Sequence, residues 1–209
     1  MIAAGRVFRP GARGRALAKI VLFVAALVPA ALLVRGVLTG TLGVNPAETI
    51  QLETGRWTFK FLLLTLLVTP LRRMTGWNVV IQFRRMLGLF AFFYGTLHFA
   101  SYWAFDLVFA FGRMFADIAK RPFILLGFLA WLSMLPLAIT STRGWIRRLG
   151  RRWTHVHRLI YVTAICAAVH FAWKQKVFTG DPVWYAAAVA VVLGFRLVWL
   201  LKSVRPARA

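Results

Sequence analysis

The sequence predicts an all-α membrane protein, a bundle of six transmembrane helices. Hydrophobic residues make up 60% of the chain and the mean hydropathy is +0.71, whereas soluble domains are about 45–50% apolar. The excess is concentrated in blocks that approach the roughly 20 residues needed to span a bilayer. Six such blocks are present, at residues 20–38, 57–71, 86–105, 122–140, 157–173 and 183–201.

Each block has features that suit a membrane helix. The second and fifth are short, but Trp, Lys and Arg at their ends can lie at the interface and extend the helices. Pro29 predicts a kink in the first helix, and Pro122 suits a helix start. Arg35, Lys60 and Arg196 lie near block ends, which is typical of side chains that snorkel to the interface. The basic N-terminus resembles a signal peptide without a small-x-small cleavage site, so we expect a retained first helix.

The loop charges predict the orientation of the bundle. Clusters of Arg and Lys occupy both termini and alternate loops, and the opposite loops hold all five acidic residues: Glu48, Glu53, Asp106, Asp117 and Asp181. Because positive loops stay in the cytoplasm, we expect both termini to be cytoplasmic and the odd-numbered helices to run outward. Residues 1–19 and 202–209 are then basic cytoplasmic tails around a transmembrane domain at residues 20–201.

The composition excludes several classes of function. A net charge of +22 would suggest nucleic-acid binding in a soluble protein. Here the basic residues lie in short loops that orient the helices and contact anionic lipid, and no basic soluble module remains. Cys166 is the only cysteine, so an intramolecular disulfide and a cysteine-ligated zinc or iron–sulfur site are excluded.

Two histidines are the main candidates for chemistry. His98 lies in the outer half of the third predicted helix, and His170 lies near the outer end of the fifth. These helices run in the same direction, so both imidazoles should lie at similar depth. Two facing imidazoles can take both axial positions of a haem iron. The alternative is that each imidazole only hydrogen-bonds a neighbouring helix, but a matched pair of costly intramembrane side chains favours the haem.

An inner site is less defined by the sequence. His157 precedes His170 by 13 residues, or roughly 20 Å of helix, which suits a second haem. At about 100° per residue, His155 lies closer than His157 to the helix face of His170, although His155 lies in a basic run. Arg84 and Arg85 occupy the matching position on the third helix and cannot coordinate iron. They are candidates for contacts with haem propionates or a phosphate, and cytoplasmic loop charge explains them equally well.

The missing motifs restrict the source of electrons. The chain contains no G-x-G-x-x-G motif and no P-loop. No segment outside the helices is long enough for a soluble nucleotide-binding domain, so the donor must be a quinol or a separate reductase. Two other functions remain open: a small transporter using intramembrane His and Arg, and a structural anchor for a periplasmic enzyme. A transporter would more often show inverted repeats and broken helices.

Three stretches carry a family resemblance: GRWTFKFLLLTLLVTPLRR (55–73), RRMLGLFAFFYGTLHFASY (84–102) and TSTRGWIRRLGRRWTHVHRLIY (140–161), followed by His170. With these stretches the chain resembles the MsrQ family, the haem-binding membrane subunits of bacterial periplasmic methionine sulfoxide reductase systems, within the ferric reductase-like transmembrane domains. The resemblance implies six helices in the bacterial inner membrane, b-type haem and FMN. It also implies electron transfer from the quinone pool to a periplasmic molybdopterin enzyme that reduces oxidised methionine in proteins. The chain would then be an electron-transfer subunit and not the catalytic one.

The motif match assigns roles to individual residues. His98, His157 and His170 fall on the family's haem-associated histidines, which implies that they ligate haem iron, whereas His155 matches none of them. The wider superfamily has two histidines on the third helix, and this chain has one, with an arginine in place of the other. The resemblance therefore implies one haem, leaves a second open, and assigns no residue to FMN.

Overall fold

The structure is a computed structural model that describes residues 11–174 and 181–204. Helices account for nearly all of this part of the chain, and no strand occurs in it. The helices are α1 Ala12–Thr39, α2 Pro46–Thr75, α3 Arg84–Ser101, α4 Phe111–Lys120, α5 Pro122–Ile139, α6 Arg143–Leu149, α7 Arg152–Val156, α8 Leu159–Lys174 and α9 Asp181–Val204. Each predicted block forms one of the six long helices, α1, α2, α3, α5, α8 or α9, which confirms the all-α prediction.

Most helices extend beyond the predicted blocks. α1 begins at Ala12, inside the region predicted as an N-terminal tail, and α2 runs from Pro46 to Thr75. The Asn45 side chain caps α2 by accepting a hydrogen bond from the Glu48 N–H, and Pro46 occupies the first helical position. Hydropathy misses such polar first turns because capping chemistry, and not apolar character, makes them helical.

The long helices differ in how apolar they are. Among the described residues, three helical stretches are long and apolar enough to cross a membrane: Ala12–Thr39, Pro122–Ile139 and Arg152–Lys174. α2 does not meet that criterion, and it is the central helix of the bundle, packing against α3, α9 and α1. Its buried residues include Thr54 and Gln51 as well as Leu62 and Leu66. A helix surrounded by protein can carry polar groups that lipid would not tolerate.

Tyr94 attaches the peripheral helix α1 to the rest of the bundle. The Tyr94 hydroxyl accepts a hydrogen bond from the Ala30 N–H at 3.1 Å and donates one to the Ala26 carbonyl at 2.8 Å. In a regular helix the Ala30 N–H would donate directly to the Ala26 carbonyl. The hydroxyl therefore inserts into the hydrogen-bond ladder beside Pro29, where the helix is already weakened.

Arg196 donates a hydrogen bond to a backbone carbonyl of α2, the second helix that contains a proline. Pro70 lies inside α2 and has no N–H, so the carbonyl of Leu66 lacks its usual helical donor. The Arg196 guanidinium of α9 donates to that carbonyl at 2.7 Å. Arg196 is therefore anchored inside the bundle, and the sequence-based expectation that it snorkels to the interface is wrong.

The end of the bundle that carries the acidic residues also holds a short amphipathic helix. A π-helical turn, Tyr102–Asp106, follows α3, and Val108 and Phe109 then adopt positive φ angles before α4 begins. Met114 and Ile118 of α4 pack against the bundle. Residues 1–10 and 205–209, which are parts of the predicted tails, and 175–180, which are most of the predicted loop 174–181, lie outside the described residues.

Candidate functional site

A cavity of about 240 Å³ lies between α2, α3, α5 and α8 at the end of the bundle that carries the acidic residues. We name it the outer cavity, after the side of the membrane that the charge distribution predicts. His98 from α3 and His170 from α8 both line it. Their ring centroids are 6.1 Å apart and their planes form an angle of 69°. The structure thus brings together the two imidazoles that were expected at matched depth.

Hydrogen bonds set the orientation of both rings. Nδ1 of His98 lies 2.9 Å from the Gln51 carbonyl, and Nδ1 of His170 lies 2.6 Å from the Phe123 carbonyl. A carbonyl can only accept, so both Nδ1 atoms carry the proton and both Nε2 atoms present a lone pair. Neither Nε2 has a hydrogen-bond partner within residues 11–174 and 181–204. Histidines that ligate a metal usually donate their other ring N–H in this way.

Two glycines allow the backbone to approach these rings closely. A Cβ at Gly127 would lie 2.8 Å from Cε1 and Nδ1 of His170, and a Cβ at Gly55 would lie 3.1 Å from Cε1 of His98. Each ring therefore lies against one helix, α2 for His98 and α5 for His170, beside a glycine and the carbonyl one turn before it. Neither glycine was among the sequence-predicted site residues, because their role depends on how the helices are rotated and not on any local pattern.

The outer cavity is apolar at one end and polar at the other. Leu62, Ala130 and Met134 line the deep end, and charged side chains line the mouth: Arg56, Asp106, Arg121 and Lys174. Haem has this polarity, because its propionates are charged and the rest of the ring is apolar. Two imidazoles on opposite sides of one iron, each with a nitrogen about 2 Å from it, have ring centres about 6 Å apart. The observed spacing fits a bis-histidine haem.

Helix α4 covers the mouth of the outer cavity. Its Asp117 accepts a hydrogen bond from the Tyr102 hydroxyl at 2.5 Å and also pairs with Arg121. Ile118 of the same helix lines the cavity. These contacts hold α4 against the outer cavity at this end of the bundle.

A second cavity, of about 420 Å³, lies toward the arginine-rich end of the bundle, and we name it the inner cavity. His157 lines it, and Trp153 stacks on the His157 ring with centroids 3.8 Å apart. Nε2 of His157 lies 3.1 Å from the Thr140 hydroxyl, which itself donates to the Pro136 carbonyl at 2.6 Å. Because the hydroxyl proton is already used, His157 must donate from Nε2.

His155 lies elsewhere. It is exposed on α7, and it does not line the inner cavity. The angular count that favoured His155 assumed regular helix from His155 to His170. The regular helix is interrupted between Val156, the last residue of α7, and Leu159, the first of α8, so that count does not apply.

The inner cavity carries uncompensated positive charge. Arg84, Arg85 and Arg196 line it, and no carboxylate occurs among the described residues that do so. Nε of Arg196 is buried and has no hydrogen-bond partner in the described part of the chain. Arg84 and Arg196 are half-buried and Arg85 is exposed. Cations that are partly withdrawn from water without a counter-ion are costly, so this arrangement suits an anionic ligand. Leu62 and Met134 line both cavities and form the partition between them.

A bare metal ion does not fit either cavity. No group of three or more His, Cys, Asp or Glu side chains that could hold one occurs within the two described ranges. The outer pair supplies two nitrogen ligands, which suffice only if a macrocycle supplies the others.

The comparisons with known proteins agree with the all-α membrane fold. A family model described as the ferric reductase like transmembrane component matches residues 54–168. A protein of Xanthomonas oryzae pv. oryzae is 48% identical over 198 residues, covering 92% of this chain and 90% of its own length. A protein of Herminiimonas arsenicoxydans is 47% identical over 195 residues, covering 92% and 89%. Both relatives are named protein-methionine-sulfoxide reductase heme-binding subunit MsrQ.

Proposed function

Because the chain belongs to the ferric reductase-like transmembrane family, and within it to the family of MsrQ heme-binding subunits, we propose that it is a haem-carrying membrane subunit that passes electrons to a methionine sulfoxide reductase. The observation that carries the proposal is the histidine pair of the outer cavity. The ring centroids of His98 and His170 are 6.1 Å apart, and both imidazoles carry an unprotonated Nε2. Haem b bound between them would supply a one-electron carrier at this depth.

The protein's own residues account for holding such a group. The Gln51 and Phe123 carbonyls fix the imidazole tautomers, and Gly55 and Gly127 leave room for the rings. The apolar walls exclude water, and a water-poor, rigid site lowers the reorganisation that accompanies a change of charge. These features support ligation of haem iron by His98 and His170.

The inner cavity is proposed as the point of electron entry. Arg84 and Arg85, with Arg196, would hold a phosphate or propionates, and His157 would contact the bound group. FMN fits this site better than a second haem, because His157 uses Nε2 for Thr140 and no second histidine among the described residues lines the cavity. A second haem ligated through His157 is the competing assignment, and the family histidine pattern supports it.

The direction of transfer follows from the predicted topology. With both termini in the cytoplasm of a bacterial inner membrane, the outer cavity faces the periplasm. The donor would be a quinol or a cytoplasmic flavin reductase, and the acceptor a periplasmic molybdopterin methionine sulfoxide reductase. The region between α3 and α5 at the outer end holds both charge signs, for example Asp117 and Arg121, so docking should be faster at low salt.

A visible spectrum of the purified protein tests the haem proposal. After haem-replete expression, we expect a Soret band that shifts on dithionite reduction. A protein without this band would instead support a transporter or a structural anchor.

Reconstitution in liposomes tests the route of electrons. A reduced quinol, or a flavin reductase with NADH, is added on the inside, and the periplasmic partner with methionine sulfoxide is added on the outside. We expect haem reduction followed by reoxidation when the partner is added. Haem that stays reduced with the active partner at low salt would contradict outward transfer.

A further inference from the structure

We propose that Arg56 and Lys174 form a two-helix clamp for the carboxylates of the haem in the outer cavity. The inference rests on the proposed function, since it concerns how the same group is held. The local sequence does not indicate this role, because both residues lie near helix ends as ordinary interfacial cations do.

The two cations lie at the same height on two helices that line the cavity. The rings of Phe59 of α2 and Phe171 of α8 contact each other, with centroids 5.5 Å apart and planes tilted by 30°. Arg56 is three residues before Phe59, and Lys174 is three residues after Phe171. Because α2 runs inward and α8 runs outward, both steps lead about one turn toward the mouth of the cavity. Both side chains line that cavity.

Each cation is also next to one of the two imidazoles. Arg56 directly follows Gly55, whose backbone packs against His98. Lys174 lies four residues after His170, on the same face of α8 and one turn farther out. A group held between the imidazoles would therefore have one cation above each ligand.

Among the charged residues at the mouth, Arg56 and Lys174 are the ones with hydrogen-bond donors still available for a ligand. Arg121 is paired with Asp117, and Asp106 accepts from the Gln51 amide at 2.8 Å. Arg56 donates to Glu53 through Nη1 at 2.8 Å, but its Nε is buried without a partner in the described residues. The Lys174 ammonium has no hydrogen bond or ion pair with any side chain that the structure describes.

The clamp has an electrostatic consequence. A buried unpaired Arg donor is costly, and a carboxylate would satisfy it. Because the deep end of the cavity is apolar, the propionates can face only the mouth, where these donors lie. Cations beside the propionates offset their negative charge and so raise the reduction potential of the haem.

The test is a redox titration of the haem in full-length R56Q, K174Q and R113Q variants. Arg113 is exposed on α4 and does not line the cavity, so R113Q removes a charge from the same end without touching the site. We expect R56Q and K174Q to shift the midpoint potential to more negative values and to make it more pH-dependent. The bis-imidazole electron paramagnetic resonance signal should be unchanged. Midpoints equal to that of R113Q would overturn the clamp.

A second experiment keeps the proposal testable if the variants lose haem. Wild-type apoprotein is loaded with haem or with haem dimethyl ester, which cannot form ion pairs. We expect the ester to dissociate roughly tenfold faster, as for loss of a charge-assisted hydrogen bond, and R56K to restore part of the haem retention that R56Q loses. Equal dissociation of haem and ester would overturn the clamp. If the proposed function itself is wrong, the wild-type protein shows no bis-imidazole haem signal, whereas failure of the clamp alone leaves that signal present.

Discussion

The two cavities of this bundle use histidine in opposite ways. In the outer cavity, His98 and His170 each donate from Nδ1 to a backbone carbonyl and leave Nε2 free. In the inner cavity, His157 donates from Nε2 to Thr140 and lies under Trp153. The outer cavity offers two imidazoles whose ring centroids are 6.1 Å apart, and the inner one offers guanidinium groups and one ring face. The outer site is therefore suited to axial ligation of a haem iron, and the inner site is suited to an anion.

The largest effect is expected when one of the two histidines of the outer cavity is removed. Replacing His98 or His170 by Ala removes one of two axial ligands, so we expect complete loss of the low-spin bis-imidazole signal. His155→Ala is the matched control, because that histidine is exposed and lines neither cavity. Electron paramagnetic resonance of the purified variants measures the outcome. An unchanged signal in both variants would mean that the outer cavity is not the ligand site.

A smaller change to the outer cavity tests whether the glycines matter. Gly127→Ala would place a Cβ 2.8 Å from the His170 ring, so the ring must move and we expect haem content to fall severalfold. Gly55→Ala, at 3.1 Å from the His98 ring, should have a weaker effect in the same direction. Gly88→Ala is the control, since its Cβ would make an ordinary contact at 3.6 Å with Thr65. Haem-to-protein ratios that are equal in all three variants would contradict this account.

The outer pair could be predicted from the sequence better than its surroundings. The bilayer imposes long apolar segments, so local hydropathy located the six long helices of the described chain and placed His98 and His170 toward the same end of the bundle. The contacts that orient the rings come from Gln51 and Phe123, each 47 residues away in sequence, and they depend on helix rotation. Hydropathy also does not indicate the break between α7 and α8, because that break lies in a basic stretch where no apolar pattern marks the helix ends.

At the inner cavity, the contact of Arg196 also could not be predicted from the local sequence. Read locally, it is a basic residue near the end of an apolar segment, which is typical of an interfacial side chain. Its partner, the Leu66 carbonyl, is 130 residues away, and that carbonyl is available only because Pro70 lacks an N–H. No property of the surrounding α9 sequence indicates this contact.

The anionic character of the inner cavity can be tested with two flavins. Arg84→Gln should weaken FMN binding about tenfold to a hundredfold, because a hydrogen bond to a charged group contributes roughly 1.5–3 kcal/mol. Riboflavin, which lacks the phosphate, should bind wild type and variant equally. Fluorescence titration measures both constants. Parallel losses for the two flavins would indicate a general disruption of the cavity instead of a phosphate site.

The smallest expected effect concerns the two histidines near the break between α7 and α8. His157→Ala should slow haem reduction by the electron donor a few-fold, because it removes a ring that lines the inner cavity. His155→Ala should leave the rate unchanged. Stopped-flow reduction of the outer haem compares them, and the reverse ranking would show that the exposed histidine is the functional one.

Chemical rescue tests the central claim most directly, that one haem is ligated between His98 and His170. The variant His170→Gly removes the imidazole but leaves its space, and free imidazole is then added to the purified protein. We predict that the low-spin spectrum is lost in the variant and returns as imidazole is titrated in. A low-spin spectrum that persists in His170→Gly without imidazole, or a haem-containing variant that imidazole does not convert, would contradict the claim.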